Sequence, residues 1–351
     1  MLSNLRLIDF RCFESLGLDF SERGGLFIGD NAQGKTSILE AICVLVRLQS
    51  PRAKTMRPLV RFESSGFGIA GEYSERDLAV RYSRGSANLK LDGESIETQN
   101  TYLQQSGLVV WMGNEDVDLV RGSGGGRRRY LDFICSQVDV GYRRSLSRYR
   151  RALKSRNLLL KDIEVRDAEL NAYAEVLIEH GDYISEVRRK VVKMLEPFAA
   201  LAQQQISAED EKIEITYLSG SEGGMRAALQ VTAGSEQRQR QTLSGPHRDD
   251  IKLLIHGMPA VDFASEGQQR TIALALKLAQ GQVLKAESGR VPVYLLDDIF
   301  GELDPERRNA LMNHLPDGAQ KFITTTTVDW LEGDWNEWER FEVSHRSVTR
   351  L

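Results

Sequence analysis

The chain has 351 residues, 41% of them hydrophobic and 27% charged, with a formal net charge of −4. These proportions leave room for a full core and a second, smaller domain, and they exclude disordered and collagen-like chains. No apolar run approaches the ~20 residues that span a bilayer, and the first residues lack the apolar core of a secretion signal, so a cytoplasmic protein with no membrane partner is expected. Cys12, Cys43 and Cys135 have no metal-ligand spacing and read as reduced thiols. With so little net charge, any nucleic-acid surface has to come from local clustering.

In chain order, residues 5–10 and 16–20 read as two strands joined by Arg11-Cys12-Phe13-Glu14. Arg11 and Phe13 either flank a nucleotide or serve as a surface arginine and a core-edge phenylalanine. Next comes Gly25-Leu26-Phe27-Ile28, a short buried strand. It runs into Gly29-Asp30-Asn31-Ala32-Gln33-Gly34-Lys35-Thr36, and Ser37 then opens an apolar helix. Strand, glycine loop and helix together form a phosphate cradle, because backbone N–H groups and the positive helix end face one anion. The two glycines let the backbone bend and approach closely. Lys35 reaches the β- and γ-phosphates, and the Thr36 hydroxyl binds Mg²⁺. A nucleotide with Mg²⁺ is therefore the expected ligand, and the family resemblance given below makes that nucleotide ATP.

Beyond a break at Ser50-Pro51-Arg52, residues 67–73, 78–82 and 87–91 alternate like antiparallel strands, with Asp92-Gly93 as a turn. Residues 108–112 form another apolar strand, followed by the acidic loop Asn114-Glu115-Asp116. Gly122-Ser123-Gly124-Gly125-Gly126 lacks a following Lys-Ser/Thr and reads as a flexible hinge. From Arg127 to Arg156 ten Arg or Lys face two Asp, within helical spacing. The arginines, Arg143, Arg144, Arg150 and Arg151 among them, are either a solvated face or a phosphate-binding surface for DNA. A second helix carries Tyr173, Leu177, His180, Ile184, Val187, Val191 and Met194 on a coiled-coil seam, where His180 reads as a core residue. Pro197 is expected to stop or bend it. A polar turn near residues 162–167 joins the two helices into a projecting antiparallel hairpin. Residues 212–218, 227–231 and 251–255 read as strands. Gly245-Pro246-His247-Arg248-Asp249-Asp250 reads as a structural or phosphate-contacting loop.

Two later stretches narrow the chemistry. Val293-Tyr294-Leu295-Leu296-Asp297-Asp298 is an apolar strand ending in paired carboxylates. On a phosphate-loop sheet, Asp297 holds Mg²⁺ through water and Asp298 orients or deprotonates the attacking water. Ser265-Glu266-Gly267-Gln268-Gln269-Arg270 opens a helix over 271–284, offering Ser265, Gly267 and Gln268 as an anion-binding N-terminus. Gly301-Glu302-Leu303-Asp304 follows the carboxylate pair.

The ordered set of phosphate loop, S-x-G-Q, LLDD and ELD resembles ATP-binding-cassette ATPases, whose sites are completed by a second subunit. Helices inserted between loop and signature resemble the structural-maintenance-of-chromosomes branch. Asp9-Phe10-Arg11, Arg127 to Asp132, Gly245 to Asp250, Ser265 to Arg270 and Leu295 to Asp304 match the RecF family in order. The resemblance implies an α/β ATPase head, a mixed sheet with an antiparallel β subdomain, over 1–125 and 210–351. A mainly helical arm is inserted over 126–209. It also implies an ATP-induced homodimer with slow, DNA-dependent hydrolysis. Such a dimer binds double-strand/single-strand junctions and works with RecR and RecO to load RecA in recombinational repair. In that dimer one copy supplies Lys35, Thr36 and Asp297, and the other Ser265 and Gly267. An ATP-gated structural clamp is the alternative. A transporter subunit fits less well, because the basic arm and the Asp-Asp pair argue against it. Asn114, Gly124-Gly125 and the segment 47–52 depart from the family pattern. Ile323 to Thr327 supplies threonines where transporter ATPases carry a switch histidine, and Asp298 stands for their glutamate.

Overall fold

The computed structural model describes residues 1–162, 167–207, 211–328 and 338–351. Most of the turn expected near 162–167, and the arm boundary expected near 209, lie outside these residues. The chain opens with β1 (Asn4–Phe10), β2 (Phe13–Asp19) and β3 (Gly24–Ile28), then α1 (Lys35–Arg47). Strands β4 (Gly66–Tyr73), β5 (Arg76–Ser83), β6 (Ser86–Leu91) and β7 (Glu94–Ile96) follow, with α2 (Gln99–Gln105) and β8 (Val109–Gly113) behind them. Next come α3 (Asp118–Arg121), α4 (Gly124–Val138), α5 (Tyr142–Leu159) and α6 (Asp167–Ile206). They lead to β9 (Ile213–Leu218), α7 (Met225–Gln239), β10 (Asp250–Ile255), β11 (Met258–Pro259), α8 (Ala260–Phe263) and α9 (Glu266–Ser288). The chain closes with β12 (Val293–Asp297), α10 (Pro305–His314), β13 (Lys321–Thr325), β14 (Arg340–Ser344) and β15 (Ser347–Arg350).

These elements form two compact units, residues 1–116 with 284–351, and residues 117–283. The first unit holds two six-stranded sheets. One is antiparallel, in the order β2-β1-β4-β5-β6-β7, and strands such as β4 alternate buried and half-buried residues because one face is packed. The other runs β15-β14-β3-β13-β12-β8 and is parallel from β14 to β8, with β15 antiparallel at its edge. Its central strands are buried almost throughout, as strands covered on both faces must be. Because β13 lies between β3 and β12, the C-terminal ends of all three strands gather at one end of the sheet, where α/β sheets bind ligands.

In the second unit α5 and α6 pack along each other, and α6 also packs on β9 of the three-stranded sheet β11-β10-β9. Residues 211–283, expected with the head, thus belong with the helices. The boundary follows packing, whereas composition shifts only at the arginine-rich stretch. Three local expectations change as well. The glycine run is no hinge, since α4 starts at Gly124. A Cβ on that glycine would lie 2.7 Å from an Asp250 oxygen, so glycine here permits close packing. Residues 227–231 are helical, within α7. The arginine-rich stretch is two helices, α4 and α5, not one. Pro197 sits inside α6, which continues to Ile206.

Candidate functional site

The phosphate loop leaves β3 between two positions that tolerate no side chain. A Cβ at Gly29 would stand 2.1 Å from the Val343 carbonyl oxygen. At Gly34, φ is +112° and a Cβ would meet Cys12 Sγ and the Phe13 ring at 2.8 Å. Gly34 is also the N-cap of α1, so the helix starts on Lys35 and its first N–H groups open onto the loop. Gln33 Oε1 accepts the His345 N–H at 2.9 Å, fastening the loop to the β14–β15 turn.

Lys35 is buried, and its Nζ donates to the carbonyls of Gly29 and Asp30 at 2.5 and 2.9 Å. Burial draws its ammonium below the usual lysine range, against the opposing pull of Asp298, Asp297 and Asp30. Across the sheet, Asp297 Oδ1 accepts the hydroxyls of Thr36 (2.8 Å) and Thr324 (2.9 Å). Thr324 Oγ1 in turn accepts the N–H of Asp298 at 2.9 Å. In register Asp297 lies opposite Thr324, so the strand between β3 and β12 supplies the bridging group. Burial raises the carboxyl pKa of Asp297, with the two threonine hydroxyls opposing. Burial also raises that of Asp298, with Lys35 opposing and Glu302 adding. Asp298 takes a left-handed backbone (φ 53°), and Asn114 Nδ2 donates to its carbonyl at 3.2 Å.

The first unit therefore brings together Lys35, Thr36, Asp297 and Asp298. Three contributors escape a reading of motifs: Thr324, Asn114 and the Cys12–Phe13 floor beneath Gly34. Arg11 pairs with buried Glu40 through Nε and Nη2 at 2.7 and 2.9 Å, and Phe13 is fully buried. Among the described residues no cluster of three or more His, Cys, Asp or Glu could hold a metal alone. The hydroxyl of Thr36 and the carboxylate of Asp297 are hard oxygens of the kind Mg²⁺ uses when phosphates complete its shell.

Ser265, Gly267 and Gln268 lie in the second unit. The Ser265 hydroxyl accepts the Gln268 N–H at 3.2 Å, and Gln268 Oε1 accepts the Ser265 N–H at 2.8 Å. This reciprocal capping box fixes the start of α9 with exposed Ser265 at its tip.

Of the four candidate DNA arginines, Arg144 and Arg151 are exposed. Arg150 is exposed but its guanidinium binds Asp132 Oδ2 at 2.7 Å, and Arg143 is half-buried, with burial lowering its pKa. Behind them lies a buried ion network. Arg188 binds Asp132 Oδ1 and Asp249 Oδ2, each at 2.7 Å, and donates to the Tyr142 hydroxyl at 2.9 Å. Arg127 grips Asp250 with two bonds, and Arg128 donates to the Asp249 carbonyl. His247 contacts the Tyr149 hydroxyl and the Thr242 carbonyl, so it is structural.

The family model described as RecF/RecN/SMC N terminal domain matches residues 1–343. The DNA replication and repair protein RecF of Lactobacillus johnsonii is 34% identical over 99% of this chain and 97% of its own length. RecF of Oenococcus oeni is 35% identical over 95% of each. Two solved structures of the recombination mediator RecF of the RecFOR pathway, with ATPrS and with ATP, superpose with TM-scores of 0.90 and 0.89. Each is 32% identical over all of this chain and 98% or 97% of its own. An Smc head bound to the C-terminal winged-helix domain of ScpA shares the fold at TM-score 0.57 and 14% identity, over all of this chain and 97% of its own. Sequence, fold and the placement of the phosphate loop agree: the chain belongs to the RecF family of DNA replication and repair proteins, an SMC-like branch of the ABC ATPases.

Proposed function

We propose that this protein is an ATP-switched, DNA-binding dimer of recombinational repair, cytoplasmic, acting at duplex/single-strand junctions with RecO and RecR to load RecA. The observation that carries this reading is the convergence of Thr36 and Thr324 on Asp297 behind a phosphate loop, in a family whose members have been solved with ATP. Backbone N–H groups of residues 29–36 and the Lys35 ammonium bind the phosphates. Thr36 and Asp297 would hold Mg²⁺, which would neutralise phosphate charge. Ser265 and Gly267 of a second copy close the site over the γ-phosphate, and the bound ATP thereby stabilises the dimer.

Asp298 is placed to take the proton of an attacking water, and burial brings its pKa nearer to that of a working base. The water oxygen bonds to the γ-phosphorus as the bond to the ADP oxygen breaks. Release of phosphate removes the bridge between copies, and the dimer opens. On the second unit, Arg144 and Arg151, with Arg143 and Arg150 beside them, contact DNA phosphates.

Sedimentation with and without ATP tests the switch, and a chain that stays monomeric at saturating ATP refutes it. Lys35→Ala is expected to abolish ATP binding. Asp298→Asn is expected to trap the ATP-bound, DNA-competent dimer, and normal hydrolysis by that variant would remove Asp298 from its role. Binding to gapped, single-stranded and blunt duplex DNA at fixed salt tests the junction preference.

A further inference from the structure

Asp298 holds a backbone conformation that residues with a Cβ avoid. Its φ and ψ are 53° and 26°, in the left-handed region, and such strain persists only where the surroundings fix it. Both peptide groups of the residue are held by neighbouring strands. Its N–H donates to the Thr324 hydroxyl at 2.9 Å, and its carbonyl accepts the Asn114 side-chain amide at 3.2 Å. Register explains why these two residues meet it. Asp297 pairs with Thr324 of β13 on one side and with Gly113 of β8 on the other, so Asn114 leaves β8 alongside Asp298. The turn that carries Asn114 is tied back to the strand, since the Asp116 carboxylate accepts the Gly113 N–H at 2.8 Å and Glu115 accepts the Trp111 Nε1–H at 3.3 Å. Asn114 is exposed, and among the described residues its side chain bonds to the Asp298 carbonyl and to nothing else.

We propose that Asn114 is a positioning residue for hydrolysis: by holding the Asp298 carbonyl it keeps residue 298 left-handed, and so keeps its carboxylate aimed at the attacking water. This rests on Asp298 as the base proposed above. With only its N–H fixed, residue 298 is free to turn about ψ and leave the strained region. The second bond removes that freedom, and the carboxylate is oriented before the water arrives. The chemistry needs an amide, because only a donor can hold a carbonyl. Thr324 shares the clamp, but its hydroxyl also donates to Asp297, whereas Asn114 reaches Asp298 alone. Since Asn114 is exposed, water can take over its bond to the carbonyl, so losing the amide costs little stability. A water molecule cannot fix the direction of the peptide, so the loss falls on the rate.

The test compares the full chain with Asn114→Ala, Asp298→Asn and the double variant. In the ATP-free protein, hydrogen exchange at the Asp298 amide is expected to quicken about three- to tenfold in Asn114→Ala, because the unclamped residue opens more often. The kcat for phosphate release is expected to fall about three- to tenfold, the size of one neutral hydrogen bond. Affinity for a fluorescent ATP analogue with Mg²⁺ is expected to stay within about twofold of wild type, and the Tm to stay unchanged. In single turnovers, adding Asn114→Ala to Asp298→Asn is expected to change the residual rate less than about twofold, because the effect passes through the carboxylate. Asn114→Leu replaces Asn114→Ala if the latter does not fold. Wild-type exchange or wild-type kcat in Asn114→Ala overturns the proposal, as does a loss that multiplies in full in the double variant or one matched by an equal loss of ATP affinity. An inactive Asp298→Asn beside a normal Asn114→Ala removes the positioning role alone. Normal hydrolysis by Asp298→Asn removes the base itself, and the positioning role falls with it.

Discussion

Replacing Thr324 by valine separates two roles open to a threonine at the end of β13: contact with the γ-phosphate, or support of the metal carboxylate. The bond from its hydroxyl to Asp297 favours the second, on the proposed metal-binding role of Asp297. Thr324 is fully buried, and its hydroxyl lies 2.9 Å from both Asp297 Oδ1 and the Asp298 nitrogen. Valine keeps the shape and removes both bonds. Losing a donor to a charged carboxylate costs about 1.5–3 kcal/mol. Burial already raises the Asp297 pKa, with Thr36 and Thr324 opposing. Without Thr324 the pKa rises further. Metal support needs the ionised form, which is present above the pKa and lost as pH falls through it, so the acid limb of Mg²⁺-dependent ATP binding moves to higher pH. At neutral pH the Mg²⁺-dependent part of the affinity is expected to fall about 10- to 100-fold, the equivalent of that energy. Binding measured in EDTA is expected to stay the same. Titrating a fluorescent ATP analogue with and without Mg²⁺, from about pH 5 to pH 8, gives both numbers. Unchanged Mg²⁺-dependent affinity with a lowered kcat would refute the anchoring role and make Thr324 a phosphate sensor.

Gly34→Ala forces a Cβ against Cys12 and Phe13 at a left-handed φ, so ATP affinity is expected to drop at least about tenfold. Gly17→Ala, where nothing lies within 4 Å, is the control, expected to stay within about 0.5 kcal/mol of wild type. Arg188→Met leaves buried Asp249 without its cation and Asp132 with only Arg150, and is expected to cost about 3–5 kcal/mol, lowering the Tm by roughly 10 °C. A loss below about 1 kcal/mol in urea titration would contradict that account. Burial holds the His247 imidazole below its ordinary pKa, so as pH falls below about 6.5 the unfolded chain takes up the proton first. Stability is therefore expected to decline from there down to the folded pKa. His247→Gln should flatten that slope in thermal melts, and an unaltered slope would place the titration elsewhere.

The phosphate loop, the carboxylate strand and the alternating strands of the first unit are legible in the sequence because each is a local pattern. What is not legible depends on partners far along the chain. Gly122 to Gly126 has the composition of a hinge, yet α4 includes three of these glycines, and Gly124 lets the helix pack against Asp250. Residues 227–231 form an apolar run too short for its period to tell strand from helix. The arm boundary expected near 209 falls where the helical pattern gives way to a strand pattern, but β9 packs on α6, so packing carries the sheet and α7 into the second unit. Thr324 was legible only as a threonine in the right place. Its bond to Asp297 requires that β13 lie between β3 and β12, and strand order is not written in any one segment.

The arginines show why a one-sided composition overstates the charge available to a ligand. From Tyr142 to Leu159 the helix carries Arg143, Arg144, Arg148, Arg150, Arg151, Lys154 and Arg156, with no acidic residue. The fold draws on this set from behind. Arg156 is buried against Glu236 at 2.7 Å, Arg150 is bound by Asp132, and Arg143 is half-buried. Arg156 and Arg150 hold α5 to its surroundings, and Asp132 also binds Arg188, which binds Asp249 just ahead of β10. Arg144 and Arg151 are seven residues apart on one face, two turns along the helix, and both are exposed. Each phosphate contact lowers the logarithm of DNA affinity by about one unit per tenfold rise in salt. If the proposed dimer presents Arg144 and Arg151 of both copies, about four such contacts are expected, which falls short of what seven counted charges per helix would suggest. Of the residues that make the chain look like a DNA binder from its sequence, several are thus committed to holding the second unit together, and Arg144 and Arg151 remain for the proposed phosphate contacts.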